Sequence, residues 1–265
     1  MFVSNKELLF NNISTLTKRN NKKIGDVEKE AGVSAGYFSR VAKNKYKASL
    51  SIESLIKVAN LFDMSVDALL FAKLDKLNSS EAYILNFICN LIRLTEGGEI
   101  NWQTLVTDTF INPKCKASEQ YKSNPIFQFD HDAYETYDLI DKNEIVYPSK
   151  FHKDCIAVPH DYVFTAMIED VGEICYMHNR IFRQEAAKAC EIDYELYIID
   201  RQKQTVTPIC CTLLEDASNE EKSRNLDLEV YMYRLFDVVE KKTKTPNMDS
   251  DLYSFINKFN NKFSK

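Results

Sequence analysis

Two short segments hold the side chains best suited to metal chemistry. His152-Lys153-Asp154-Cys155 and Cys175-Tyr176-Met177-His178 together spell HxxC…CxxH. Two thiolates and two imidazoles can fill a tetrahedral zinc shell. The stretch 173–177, however, reads as a β-strand, and residues three apart on a strand face opposite sides. The four therefore read as buried thiols and surface histidines, and neither a metal nor any other cofactor is expected. Asp130-His131-Asp132 could orient a general base, but no partnered nucleophile accompanies it, and a polar turn is the simpler reading. No HExxH and no GxSxG occur. A phosphate-cradling loop needs clustered glycines. Of the 6 glycines only Gly97 and Gly98 are adjacent, so neither GxGxxG nor GxxxxGK[ST] can be written. Walker-type NTPases and typical Rossmann enzymes are therefore not expected. No catalytic residue is assigned, and an enzyme is not expected.

The elements that must position any site come from a chain of 265 residues, enough for one large domain or two ordinary ones. Hydrophobic residues make up 45% and aromatic residues 12%, which can fill a sizeable core. There is no run of 18 apolar residues and no charged-then-apolar start, so a spanning helix and secretion are not expected. Seven scattered cysteines then read as reduced thiols in a cytoplasmic protein. Charge is unevenly placed. Residues 1–75 hold 12 Lys and Arg against 8 Asp and Glu, a net of +4, and the other 190 hold 22 against 31, a net of −9. A basic head on an acidic body suggests that the head alone meets a polyanion.

The head is patterned as five short helices. Over 5–18, Leu8, Leu9, Ile13 and Leu16 recur at helical spacing. A second helix is expected over 24–31, with Val27 and Ala31 inward and Gly32 as its left-handed exit. Ser34 is a good N-cap for a third helix over 35–43 that turns Phe38, Val41 and Ala42 inward. Ser51 caps a fourth, with Leu55, Ile56, Val58, Ala59 and Phe62 as its apolar set. Ser65 caps a fifth, holding Val66, Leu69, Leu70 and Phe71.

The run from Asp26 to Ser34, followed by Tyr37-Phe38-Ser39-Arg40-Val41, resembles a Cro/CI-type (XRE family) helix-turn-helix. Leu55-Ile56-Lys57-Val58-Ala59 and Met64-Ser65-Val66-Asp67-Ala68-Leu69-Leu70 resemble the closing helices of that family. The match covers roughly residues 6–72. The resemblance implies an all-α, five-helix, lambda-repressor-like domain that binds double-stranded DNA, its second helix bracing the third in the major groove. It places Ser34, Ala35, Gly36, Tyr37, Ser39 and Arg40 at the groove. Arg40 can make two bonds to guanine, and Ala35 offers a methyl to thymine. Within a helix Gly36 would cost roughly 1 kcal/mol relative to Ala. The loop Lys43-Asn44-Lys45-Tyr46-Lys47 matches the family's backbone-contacting segment, so Lys43, Lys45, Tyr46 and Lys47 suit phosphates. Lys22 and Lys23 could add a further phosphate contact before the second helix.

Beyond residue 75 the pattern changes. Tyr83, Ile84, Phe87, Ile88, Leu91 and Ile92 form an apolar helical stripe stopped by Gly97-Gly98, suiting a connector, a dimer seam or a core helix. Short β-prone segments recur at 126–129, 144–147, 162–168, 173–177, 194–199 and 205–210, with 200–204 as a hairpin loop. The end is helical again: Leu228, Tyr231, Met232, Leu235, Phe236 and Val239 fit one face, and Leu252, Phe255, Ile256, Phe259 and Phe263 another. Residues 76–265 therefore read as an α+β unit with a mostly antiparallel sheet, serving dimerisation, an effector or a protein partner. Self-cleaving repressors of the related type carry a cleavable Ala-Gly and a Ser/Lys dyad. The Ala-Gly pairs here, Ala31-Gly32 and Ala35-Gly36, lie in the head, so autoproteolysis is not expected. The whole reads as a homodimeric transcriptional regulator without membrane contact. The alternative is a phage- or plasmid-borne inhibitor of a defence protein, its acidic body mimicking nucleic acid and its head serving autoregulation.

Overall fold

The computed structural model describes residues 6–43, 50–105, 146–183, 190–213 and 219–244. Five short helices come first: α1 (Lys6–Arg19), α2 (Ile24–Glu30), α3 (Tyr37–Ala42), α4 (Ile52–Leu61) and α5 (Val66–Phe71). Their buried sides meet in one cluster, including Ile13, Val27, Phe38, Val58 and Leu69. Burying each such side chain contributes roughly 1.5–3 kcal/mol. Local chemistry sets most of the helix ends. Gly32, at φ 72°, leaves α2 in the left-handed region. The Gly32 and Val33 amides then return to the carbonyls of Lys29 and Glu28 at 3.0 and 2.9 Å, a Schellman ending. Ser51 and Ser65 accept from the amides of Ser54 and Ala68, capping α4 and α5 as expected. Buried Asn12 of α1 donates to the carbonyls of Leu69 and Ala72 and accepts from the Leu74 amide, satisfying the end of α5.

Some side-chain expectations fail. Ile56 and Phe71 are exposed, as is Ala42, because each of these short helices buries only the stripe that touches its neighbours. Tyr83 on the next helix is exposed for the same reason.

Helix α6 (Ser79–Gly97) starts at a capping box of Asn78 and Glu81 and ends at Gly98, φ 75°. It packs along the last described helix, α7 (Asn219–Lys244). Between them in sequence lies an antiparallel sheet of β1 (Gln103–Leu105), β2 (Tyr147–Pro148), β3 (Cys155–Ile168), β4 (Gly172–Arg183), β5 (Cys190–Asp200) and β6 (Thr205–Cys211). The order is β1-β3-β4-β5-β6, with β2 also on β3. Strands β3 and β4 run well beyond the segments 162–168 and 173–177, since their extensions pair with each other from Cys155↔Arg183 onward. The hairpin loop between β5 and β6 falls where expected: Asp200 accepts from the amides of Gln202 and Lys203. Pro208, which has no N–H, sits on edge strand β6.

The sheet has two buried faces. Phe164, Tyr176 and Leu196 join the core that also holds α6, α7 and the five small helices. Tyr147, Cys155, Cys175, Met177, Ile181 and Tyr197 form a second cluster on the other face. The layout is thus α+β: helices first, an antiparallel sheet in the C-terminal half. Among the described residues, no helix is long and apolar enough to cross a membrane. The segment 126–129, the trio Asp130-His131-Asp132 and the apolar face from Leu252 to Phe263 lie outside the described residues.

Candidate functional site

The turn between α2 and α3 is held by a buried acid. Glu28 is 2% exposed, and its carboxylate accepts from the backbone amides of Gly36 at 2.7 Å and Phe38 at 2.9 Å. A carboxylate at the first amides of a helix matches both its orphan donors and its dipole. This corrects the expected cap. Ser34 does not cap α3; Gly36 occupies that position with φ 71°, and the helix begins at Tyr37 rather than 35. Gly36 therefore lies outside the helix, where its left-handed conformation needs glycine, and carries no helix-interior cost.

Phe38 and Val41 point into the core, with Phe38 against Phe10 at 5.6 Å between ring centroids. That leaves Ser34, Ala35, Ser39 and Lys43 exposed, with Gly36, Tyr37 and Arg40 half-buried. The Arg40 guanidinium folds back on the turn. Nη1 donates to the Ala35 carbonyl at 2.8 Å and Nη2 to the Ser34 hydroxyl at 2.7 Å. Lys22 and Lys23 are exposed at the start of α2. Lys45, Tyr46 and Lys47 lie outside the described residues.

The HxxC…CxxH residues are not brought together. Cys155 and Cys175 are buried on the second face of the sheet, while His178 lies on the first. There it stacks on Tyr194 at 4.7 Å and meets Phe236 edge-on at 5.3 Å. Both histidines were expected at the surface. Instead His152 and His178 are buried, because each sits under aromatic or acidic neighbours of the sheet.

The second face carries a polar group that sequence reading missed. His152 Nε2 lies 2.8 Å from Asp193 Oδ2, both fully buried. Asp193 Oδ1 accepts from the Thr212 amide and hydroxyl and the Leu213 amide, each at 2.8 Å. Two residues along β5, Glu195 Oε2 accepts from Tyr197 at 2.6 Å, from Tyr147 at 3.3 Å and from Asn179. Burial pushes the Glu195 carboxyl up to about 8, reinforced by the neighbouring Asp193 charge and opposed by Tyr197, His152 and Tyr147. A signal was present in the sequence: Asp193, Glu195 and Tyr197 alternate along one face of a strand whose intervening residues, Tyr194, Leu196 and Ile198, are apolar or aromatic.

Comparisons with protein-family models, with curated proteins and with solved structures found no match.

Proposed function

We propose that the chain is a sequence-specific DNA-binding transcriptional regulator whose lambda-repressor-like head places α3 in the major groove. One observation carries the reading. Glu28 bonds α2 to the first turn of α3, while Phe38 and Val41 anchor α3 from below. The residues left outward are small or basic: Ser34, Ala35, Ser39 and Lys43. A helix so braced presents a stiff edge that a groove can accept without further ordering cost. Arg40 supplies base readout once its guanidinium leaves Ala35 and Ser34 for guanine. Lys43, Lys45 and Lys47 contact phosphates and fix register, with Tyr46 among them. The regulator acts as a homodimer joined through residues beyond 78, so that two heads meet half-sites about one DNA turn apart.

The test is a binding titration of the full chain against the DNA upstream of its own gene and a scrambled copy. Tighter binding to the natural sequence supports regulation. Equal affinity for the two would overturn it and favour the protein-inhibitor alternative.

A further inference from the structure

We propose that His152, Asp193 and Cys211 form a binding site for a zinc ion on the second face of the sheet. One nitrogen of His152, a carboxylate oxygen of Asp193 and Cys211 Sγ lie within 4.8 Å of one another, all three residues buried. Zinc takes nitrogen at about 2.0–2.1 Å, carboxylate oxygen at about 2.0–2.2 Å and sulfur at about 2.3 Å. Ligand atoms around one ion therefore stand about 3–4 Å apart. The three donors need only small shifts to close on an ion, and the His152–Asp193 hydrogen bond opens slightly to admit it.

The three ligands come from separate segments. His152 lies in the loop before β3, where Ser149 Oγ accepts its backbone amide at 2.9 Å. Asp193 lies in β5 and Cys211 ends β6. One support resembles those of metal sites, where outer hydrogen bonds aim the ligands. Asp193 Oδ1 is held by the three donors from Thr212 and Leu213, which turns Oδ2 toward His152. In the metal-free protein the Cys211 thiol donates to the Leu213 carbonyl at 3.3 Å, inside the same turn, a bond it gives up with its proton when zinc binds. Charge also balances. Neutral imidazole, carboxylate and thiolate sum to −2 and neutralise Zn²⁺, so the buried site carries no net charge. Binding forms Zn–N, Zn–O and Zn–S bonds and releases the thiol proton to solvent. A further observation lies close by: Glu195 Oε1 is fully buried and makes no hydrogen bond among the described residues. Three protein ligands leave a fourth position for water, as in open zinc sites. The set differs from HxxC…CxxH: it uses His152 but neither Cys155, Cys175 nor His178.

The test uses the full chain, stripped with chelator under reductant, then dialysed and titrated with Zn²⁺ and separately with Co²⁺. Expected are one metal per chain by elemental analysis and a thiolate-to-cobalt charge-transfer band. C211S should remove the band and weaken zinc at least about tenfold, with an unchanged far-ultraviolet spectrum. C155S and C175S should bind as the parent does. If Cys211→Ser fails to fold, Cys211→Ala and a displacement titration with a zinc-sensing dye on the parent protein take its place. The site is overturned if the folded parent takes up less than a tenth of an equivalent. It is equally overturned if C211S binds as tightly as the parent, or if C155S or C175S abolishes binding.

Discussion

The Glu28 carboxylate receives the backbone N–H of Phe38 at 2.9 Å, so one buried acid joins α2 to the start of α3. Glu28→Ala leaves that buried amide without its charged acceptor, at a cost of about 1.5–3 kcal/mol. Glu28→Gln keeps one acceptor oxygen and should lose about half as much. Chemical denaturation of the two variants, followed by circular dichroism, measures the order. Equal stability of Glu28→Ala and the parent would remove Glu28 from the account of the turn.

Arg40 and Lys45 should separate readout from attraction. A dimer using Lys43, Lys45 and Lys47 on each head neutralises about six phosphates, giving a log–log salt slope near −5 at roughly −0.9 each. Arg40→Ala should cost about 1–3 kcal/mol per half-site on the natural DNA and little on scrambled DNA. Lys45→Ala removes one contact from each head, so it should weaken both and flatten the slope by about two. Titrations at several salt concentrations report both effects. Because Arg40 also bonds Ala35 and Ser34, its variant must first be shown to fold as the parent does.

Two thiols should be inert in the native protein. Burial pushes Cys89 and Cys210 up to about 12. At pH 8 only about one in ten thousand of each is then the reactive thiolate. Alkylation followed by peptide mass spectrometry should leave both unlabelled in native protein and labelled in denaturant. Rapid native labelling of either would show that its burial is transient.

Glu195 should make stability fall with rising pH in protein kept metal-free by chelator. Its folded carboxyl is pushed from 4.5 up to about 8. Between those values the folded state holds a proton that the unfolded state has lost. The contribution is therefore complete below about 4.5 and lost as pH rises toward 8. Glu195→Gln should flatten the dependence across that window, as read by urea midpoints at pH 5 and pH 8. A parent whose midpoint rises between them would contradict the assignment.

What the sequence made legible was what short-range chemistry decides. Ser51, Ser65 and the Gly32 exit could be placed because cap and helix are neighbours in the chain. The strands from β3 to β6 are legible as β-prone segments, although their lengths depend on partners across the sheet. Ser34 was mistaken for a cap because the true acceptor, Glu28, comes from another helix. In the sequence His178 reads as a surface residue because nothing local says that Tyr194 and Phe236 will cover it. Cys211 and Asp193 could not be joined to His152 by spacing, since the fold alone brings the β5–β6 pair beneath that loop.

Arg19 at the end of α1 donates to the Leu77 carbonyl, and Asn86 of α6 binds the Ser65 amide at 2.6 Å and the Asp63 carbonyl at 3.0 Å. Leu74 and Leu77 bury themselves in the same cluster as Leu85 and Ile88. The five small helices consequently do not hang from a tether. A chimera grafting them onto another body must carry α6 with them, past Asn86. A graft cut at residue 75 strands the start of α5 without its outside partner and opens a greasy seam to water.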